Sequence, residues 1–218
     1  MIPYADRGGL ISLYAILSRI DENFYEIEDK YNFSSANLDA TGYVSMAFAG
    51  DRYWCLDDCC SARSLYRKSM EKGFIYGAYR FAVLMYRQKY YSIALKHYLK
   101  VLEHPHWNRL TQYIRGMVLN DISLCHYFGT FCYDSFWKYN EMSRETLMPI
   151  AFNNAGNCYF RGTGLECIDL DNAEKMFLEA IKLFSKDSKK TIKAVEYCSK
   201  MLGDIHKLKT QCEKETEK

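Results

Sequence analysis

The chain has 218 residues, 49% of them hydrophobic, and a net charge of +2, enough for one substantial domain or an extended repeat array with a sizeable core. With only 3 Pro and 12 Gly and few β-branched runs, the composition favours helices and counts against strands. No stretch approaches the roughly 18 apolar residues of a membrane span, and the longest apolar run, around Leu10–Leu17, is too short.

The sequence predicts helices throughout. Residues 10–31 read as two short capping helices within a terminal segment, 1–35. Pairs of helices follow over 36–189, each with small residues and an aromatic at fourfold spacing, which places them on one helical face. The first pair carries Ala40, Val44 and Phe48, then Ala62 and Tyr66. The second carries Ala78, Ala82 and Tyr86, then Ala94 and Tyr98. The third is degenerate, with Leu119, Ser123 and Tyr127, then Ser135 and Tyr139. The fourth has Ala151, Ala155 and Tyr159, then Ala173, Phe177 and Ala180, with Asp169 and Asp171 suited to a helix N-terminus. Anchor spacings of 22 residues in the first and fourth pairs and 16 in the second and third predict two long and two short inter-helix loops. A last helix over 190–210, with Ala194, Cys198 and Leu202 on its packed face, ends in the polar tail QCEKETEK, which is expected to fray.

Residues 151–180, A151-x3-A155-G156-x2-Y159-x2-G162-x-G164 followed by D171-x-A173-x3-F177-x2-A180, resemble the Sel-like repeat, a branch of the tetratricopeptide superfamily. SARSLYRKSMEKG, with Ala62, Leu65, Tyr66, Lys68 and Gly73, resembles the second half of that repeat. The match is good over 151–180, fair over 62–100 and poor over 111–145, and the second and third pairs lack the glycine loop. The resemblance implies an all-α, right-handed superhelix of antiparallel helix pairs whose first helices line a concave groove. It also implies an adaptor or scaffold that is not an enzyme. A cysteine-rich secreted subgroup of the family pairs cysteines within each repeat. Here Cys125 and Cys132, and Cys158 and Cys167, flank inter-helix loops, but the positions do not recur in every unit and the pairing is not carried over.

Several motifs invite a chemical reading. Gly162-Thr163-Gly164 has the look of a phosphate loop, but the segment before it has helical period and no Lys-Ser/Thr follows. A left-handed glycine ending a helix is the expectation. Cys55, Cys59 and Cys60 in WCLDDCC lack the second ligand pair that structural zinc wants. His104-Pro105-His106-Trp107 reads as a solvated loop. No metal, cofactor or catalytic set is assigned. The opening residues MIPYADRGGL lack a secretion signal, so the nine cysteines are expected to be reduced and mostly buried, and the chain cytoplasmic. The sequon at Asn32-Phe33-Ser34 carries no weight without such a signal.

The functional signal lies in the charge distribution. Residues 1–60 carry 4 basic and 10 acidic side chains, and residues 61–115 carry 11 basic and 2 acidic. Arg67, Lys68, Arg80, Arg87, Lys89 and Lys96 are interleaved with Tyr76, Tyr79, Tyr90 and Tyr91, side chains suited to carboxylates or phosphates. A solvated charged face over a tyrosine-rich core is the plain alternative. At about 100° per residue, Tyr79, Val83 and Arg87 fall on one line beside Arg80, the expected groove wall. Asn120 occupies the matching place in the third pair. Phe160 does so in the fourth, with Asn153 and Asn157 placed to bond a peptide backbone. The sequence therefore predicts a protein partner with an acidic or phosphorylated segment, captured less well when Arg80 and Arg87 become glutamate. Nucleic acid on the same basic-aromatic surface of 61–115 is the other reading.

Overall fold

The computed structural model describes residues 43–185 and 191–216. The described residues form nine α-helices and no strand: α1 Tyr43–Cys55, α2 Cys59–Glu71, α3 Ile75–Arg87, α4 Tyr91–Leu102, α5 Gln112–Cys125, α6 Tyr133–Glu145, α7 Pro149–Arg161, α8 Leu170–Phe184 and α9 Ile192–Thr216. The chain divides into two compact units, with the boundary between Leu110 and Thr111. In the first unit α1 packs on α2, α2 on α3 and α3 on α4. In the second, α5 packs on α6, α6 on α7, α7 on α8 and α8 on α9. No helix among the described residues is long and apolar enough to cross a membrane.

Local chemistry sets the helix starts. Asp58 accepts the Ser61 N–H at 3.0 Å, Thr111 the Ile114 N–H at 3.3 Å and Asp169 the Asn172 N–H at 2.9 Å, each satisfying a donor that the first helical turn leaves free. Pro149 opens α7, where a missing N–H costs nothing. The small-residue faces read from the sequence are the packed ones in the second and fourth pairs and on the second helix of the first. Ala62, Tyr66, Ala82, Ala94, Tyr98, Ala151, Ala155, Ala173, Phe177 and Ala180 are fully buried. Small side chains let two axes approach closely, and the aromatic ring fills the space beside them.

Gly162 closes α7 with φ +65°, and the Thr163 N–H turns back to the Cys158 carbonyl at 2.9 Å. Gly164, at φ +70°, lies so near α6 that an added Cβ would stand 2.6 Å from the Tyr133 Cβ. The glycine stretch is therefore a bend held against α6, and the N–H groups of Gly162 and Thr163 serve the end of α7.

Three expectations are corrected. The long loop expected in the first pair is three residues, Leu56–Asp58, because α1 runs on to Cys55, where Asp51 and Trp54 are buried. Gly50, where an added Cβ would meet the Tyr66 ring at 2.6 Å, makes the close approach to α2. Ala40 and residues 10–31 lie outside the described residues. In the third pair, Phe136, Asn140 and Ser143 are the buried residues of α6, one position on from the expected Ser135 and Tyr139. The cause is a wide turn over His126–Thr130, in which the Cys132 N–H reaches back to the His126 carbonyl at 3.2 Å and shifts the helix that follows. The last helix reaches Thr216, with Cys198, Met201 and Ile205 as its buried stripe, while Ala194 and Leu202 are half-buried. The tail expected to fray is thus helical as far as Thr216.

Candidate interaction surface

In the first unit the charged groups of α1 and α3 meet inside the core. Arg80 is 2% exposed and Asp51 4%. The Asp51 carboxylate accepts from Arg80 Nε at 2.5 Å, from the Tyr66 hydroxyl at 2.5 Å and from the Tyr76 hydroxyl at 3.0 Å. Arg80 Nη2 also donates to the Tyr66 hydroxyl at 3.2 Å, and its guanidinium lies 5.5 Å from the ring centres of both Trp54 and Tyr66. Burial pulls the Arg80 pKa down, but the Asp51 charge together with Tyr76, Tyr66 and Tyr79 around it outweighs that and holds it well above the usual value. Burial pushes both tyrosines up, so Tyr66 and Tyr76 stay neutral donors. Of the other residues expected along the groove wall, Tyr79 is buried against the rings of Tyr76 and Tyr98. Val83 and Arg87 are half-buried, with Arg87 stacked 5.1 Å over Trp54.

In the second unit the expected asparagines join one buried polar seam. Asn154 Nδ2 on α7 donates to Asn120 Oδ1 on α5 at 2.9 Å. Asn157 Nδ2 bonds the Asn153 carbonyl at 2.8 Å, and its oxygen accepts from the Tyr197 hydroxyl of α9 at 2.5 Å. The Cys198 thiol donates to Asn153 Oδ1 at 3.4 Å. Phe160 packs partly buried against the α8–α9 core. In place of a peptide backbone, Asn153 and Asn157 meet α9 of their own chain. Sequence reasoning missed Asp51, Trp54, Asn154 and Tyr197. A lone carboxylate in AFAGDRYWC, a stretch that otherwise buries its small residues, was the available signal for Asp51.

The surface charge of the first unit sits on the other helices. Arg63, Arg67, Lys68 and Lys72 on and just after α2, and Lys96 and Lys100 on α4, are exposed. Arg67 Nε pairs with Glu71 at 2.9 Å. His104 Nε2 lies 3.2 Å from the Gly73 carbonyl and ties the C-terminal end of α4 to that of α2. His104 and His106 lie in the turn after α4, as expected of that loop. Among the described residues no three His, Cys, Asp or Glu side chains gather in a way that could hold a metal ion.

The expectation that the cysteines are mostly buried is corrected: Cys125, Cys158 and Cys198 are buried, whereas Cys55, Cys59, Cys60, Cys132, Cys167 and Cys212 are exposed. The exposed ones sit at the end of α1, at the start of α2, just before α6, in the loop after α7 and on α9. Burial pushes the Cys158 and Cys198 thiols from 9.0 to about 12, and Cys125 higher still. At the start of α6 the Cys132 thiol donates to Ser135 Oγ at 3.3 Å. Once ionised it accepts from the Ser135 hydroxyl and amide, which lowers its pKa. Iodoacetamide at pH 8 is therefore expected to modify the six exposed cysteines of the native chain, Cys132 fastest among them, and to reach the other three only in denaturant. Peptide mapping by mass spectrometry reads this, and early modification of Cys198 would contradict the burial. A raised thiol pKa also means stability that is full below pH 9 and lost as pH rises towards about 12.

No family model matches the chain, and no curated protein matches it. Its fold is similar to a solved structure described as BtubC (BKLC) from P. vanneervenii, at a TM-score of 0.61 and 17% identity, over 88% of this chain and 81% of that one. The likeness is one of helical fold.

Proposed function

We propose that the chain is a non-enzymatic helical-repeat module that holds a protein partner, as an adaptor or scaffold of the Sel-like kind. The observation that carries this reading is the division of polar groups between core and surface. Asp51, Arg80, Tyr66 and Tyr76 are bonded to one another, and Asn120, Asn153, Asn154 and Asn157 are bonded within the α5–α7–α9 seam. Polar groups already satisfied in this way lock helices together and have little capacity left for substrate. The exposed groups of α2 and α4, in contrast, are almost all of one sign, which suits an electrostatically chosen partner. The resemblance to a repeat family is supported by the buried alanine faces and by the left-handed Gly162 that ends α7.

Affinity purification of the full chain from its native cell tests the reading. The expected result is a co-purifying protein that rebinds as a purified component with a Kd of about 10 µM or tighter. Failure of every recovered protein to rebind when purified overturns it.

A further inference from the structure

The geometry points to the exposed basic face of α2 and α4 as the docking site for an acidic polypeptide segment, in place of the α3 line that holds Arg80. This rests on the interaction reading above and names the site and the chemistry of its partner.

The helix α3 is the centre of the first unit, with buried residues from Ile75 to Met85, and its arginines are spent there: Arg80 on Asp51, and Arg87 against Trp54. The helices α2 and α4 both pack on α3, and the contact between His104 and the Gly73 carbonyl brings their C-terminal ends side by side. Lys68 and Lys72 are exposed at the C-terminal end of α2 and Lys100 at that of α4, and Arg63 and Lys96 extend the charge back along the two helices. Cations in a last helical turn also complement the helix dipole, which accounts for Lys68, Lys72 and Lys100 on structural grounds. It does not account for Arg63 or Lys96, which lie outside those last turns. Between residues 61 and 102 the sequence offers one carboxylate, Glu71, already paired with Arg67.

Two observations favour a polypeptide over nucleic acid. Of the four tyrosines that the sequence interleaves with the basic residues, Tyr76 and Tyr79 are buried and so withdrawn from stacking on bases, Tyr91 is half-buried, and Tyr90 alone is exposed, too little for a stacking platform. Most of the exposed cations on this face are lysines, compact point charges on flexible stems that suit scattered carboxylates. Ile93, 45% exposed on α4 one turn before Lys96 and His97, gives an apolar foothold within the charged face.

The test uses the full chain and a fluorescein-labelled 20-residue polyglutamate peptide, read by anisotropy at two salt concentrations. The variant Lys68→Glu/Lys72→Glu/Lys100→Glu is expected to weaken the peptide about thirtyfold and to flatten the salt dependence. Lys175→Glu/Lys193→Glu/Lys200→Glu makes the same change of charge at exposed positions of the second unit, and is expected to cost less than about threefold. The milder Lys68→Gln/Lys72→Gln/Lys100→Gln should fall between, and circular dichroism checks that each variant is folded. Equal losses in both reversed variants mean that bulk charge alone is at work and overturn the proposal. So does an unchanged affinity, or a single-stranded or duplex 20-mer DNA that binds more tightly than the peptide at the same salt. A partner recovered by affinity purification and still held by the α2–α4 variant leaves the interaction reading standing while this face falls.

Discussion

Replacing Arg80 with alanine is expected to cost the first unit roughly 3–5 kcal/mol, the penalty for leaving one member of a buried ion pair without its counter-charge. Asp51, almost wholly enclosed, would keep the hydroxyls of Tyr66 and Tyr76 as its partners among the described residues. Arg80→Glu should do worse, because it sets a second carboxylate beside the first. Any loss of partner capture in that variant would therefore report unfolding, not the loss of a groove contact. Since many domains hold only about 5–15 kcal/mol, the variant risks complete unfolding. The double change Asp51→Leu/Arg80→Met removes both charges and is expected to recover most of the loss, since apolar replacements of a buried pair are often neutral or better. Urea unfolding of the three chains reads the result. A midpoint for Arg80→Ala equal to the parent's would mean that the pair contributes nothing.

Phe177→Ala is expected to cost the second unit about 3–5 kcal/mol, as buried Phe to Ala changes do. The ring joins three helices. On one side it touches α7 so closely that a Cβ added at Gly156 would stand 3.0 Å from it. It belongs to the cluster of Ala173, Ala180, Cys198, Met201 and Ile205 that holds α9 on α8, and its centre lies 6.5 Å from that of Tyr197. The loss should concentrate on α9, whose remaining ties include the Tyr197–Asn157 bond, the Cys198–Asn153 contact and the Lys209 pairs with Asp171 at 2.5 Å and Glu174 at 2.6 Å. Hydrogen exchange should show amides of α9 opening first in this variant while α5 and α6 stay protected. Uniform acceleration across α5–α9 would refute the idea that the ring chiefly anchors the last helix.

The packed faces were legible because alanine and an aromatic at fourfold spacing have few other uses on a helix. Ala82, Ala94, Tyr98, Ala155 and Phe177 were read correctly from that alone. Turn geometry was harder. Nothing at His126–Thr130 announces an extra residue in the helical turn, so the register of α6 was misplaced by one. The site was least legible. Periodicity places Arg80 on a face but cannot say which helix covers that face, and the covering groups, Asp51 and Trp54, lie in a stretch separated from it by two turns and a helix. Charge counting singles out the segment 61–115. Only packing decides which of its cations reach water.

The order of packing within each unit has a kinetic meaning. Each helix of a unit lies against the helix next to it in the chain, across connections that are mostly only a few residues long. Chains dominated by such local contacts close small loops before gaining buried surface, and they fold in microseconds to milliseconds. The Asp51–Arg80 pair, 29 residues apart, is a longer-range tie in the first unit. Charges this costly to bury are expected to dehydrate late, after α2 and α3 have docked. Their removal should then quicken unfolding far more than it slows folding.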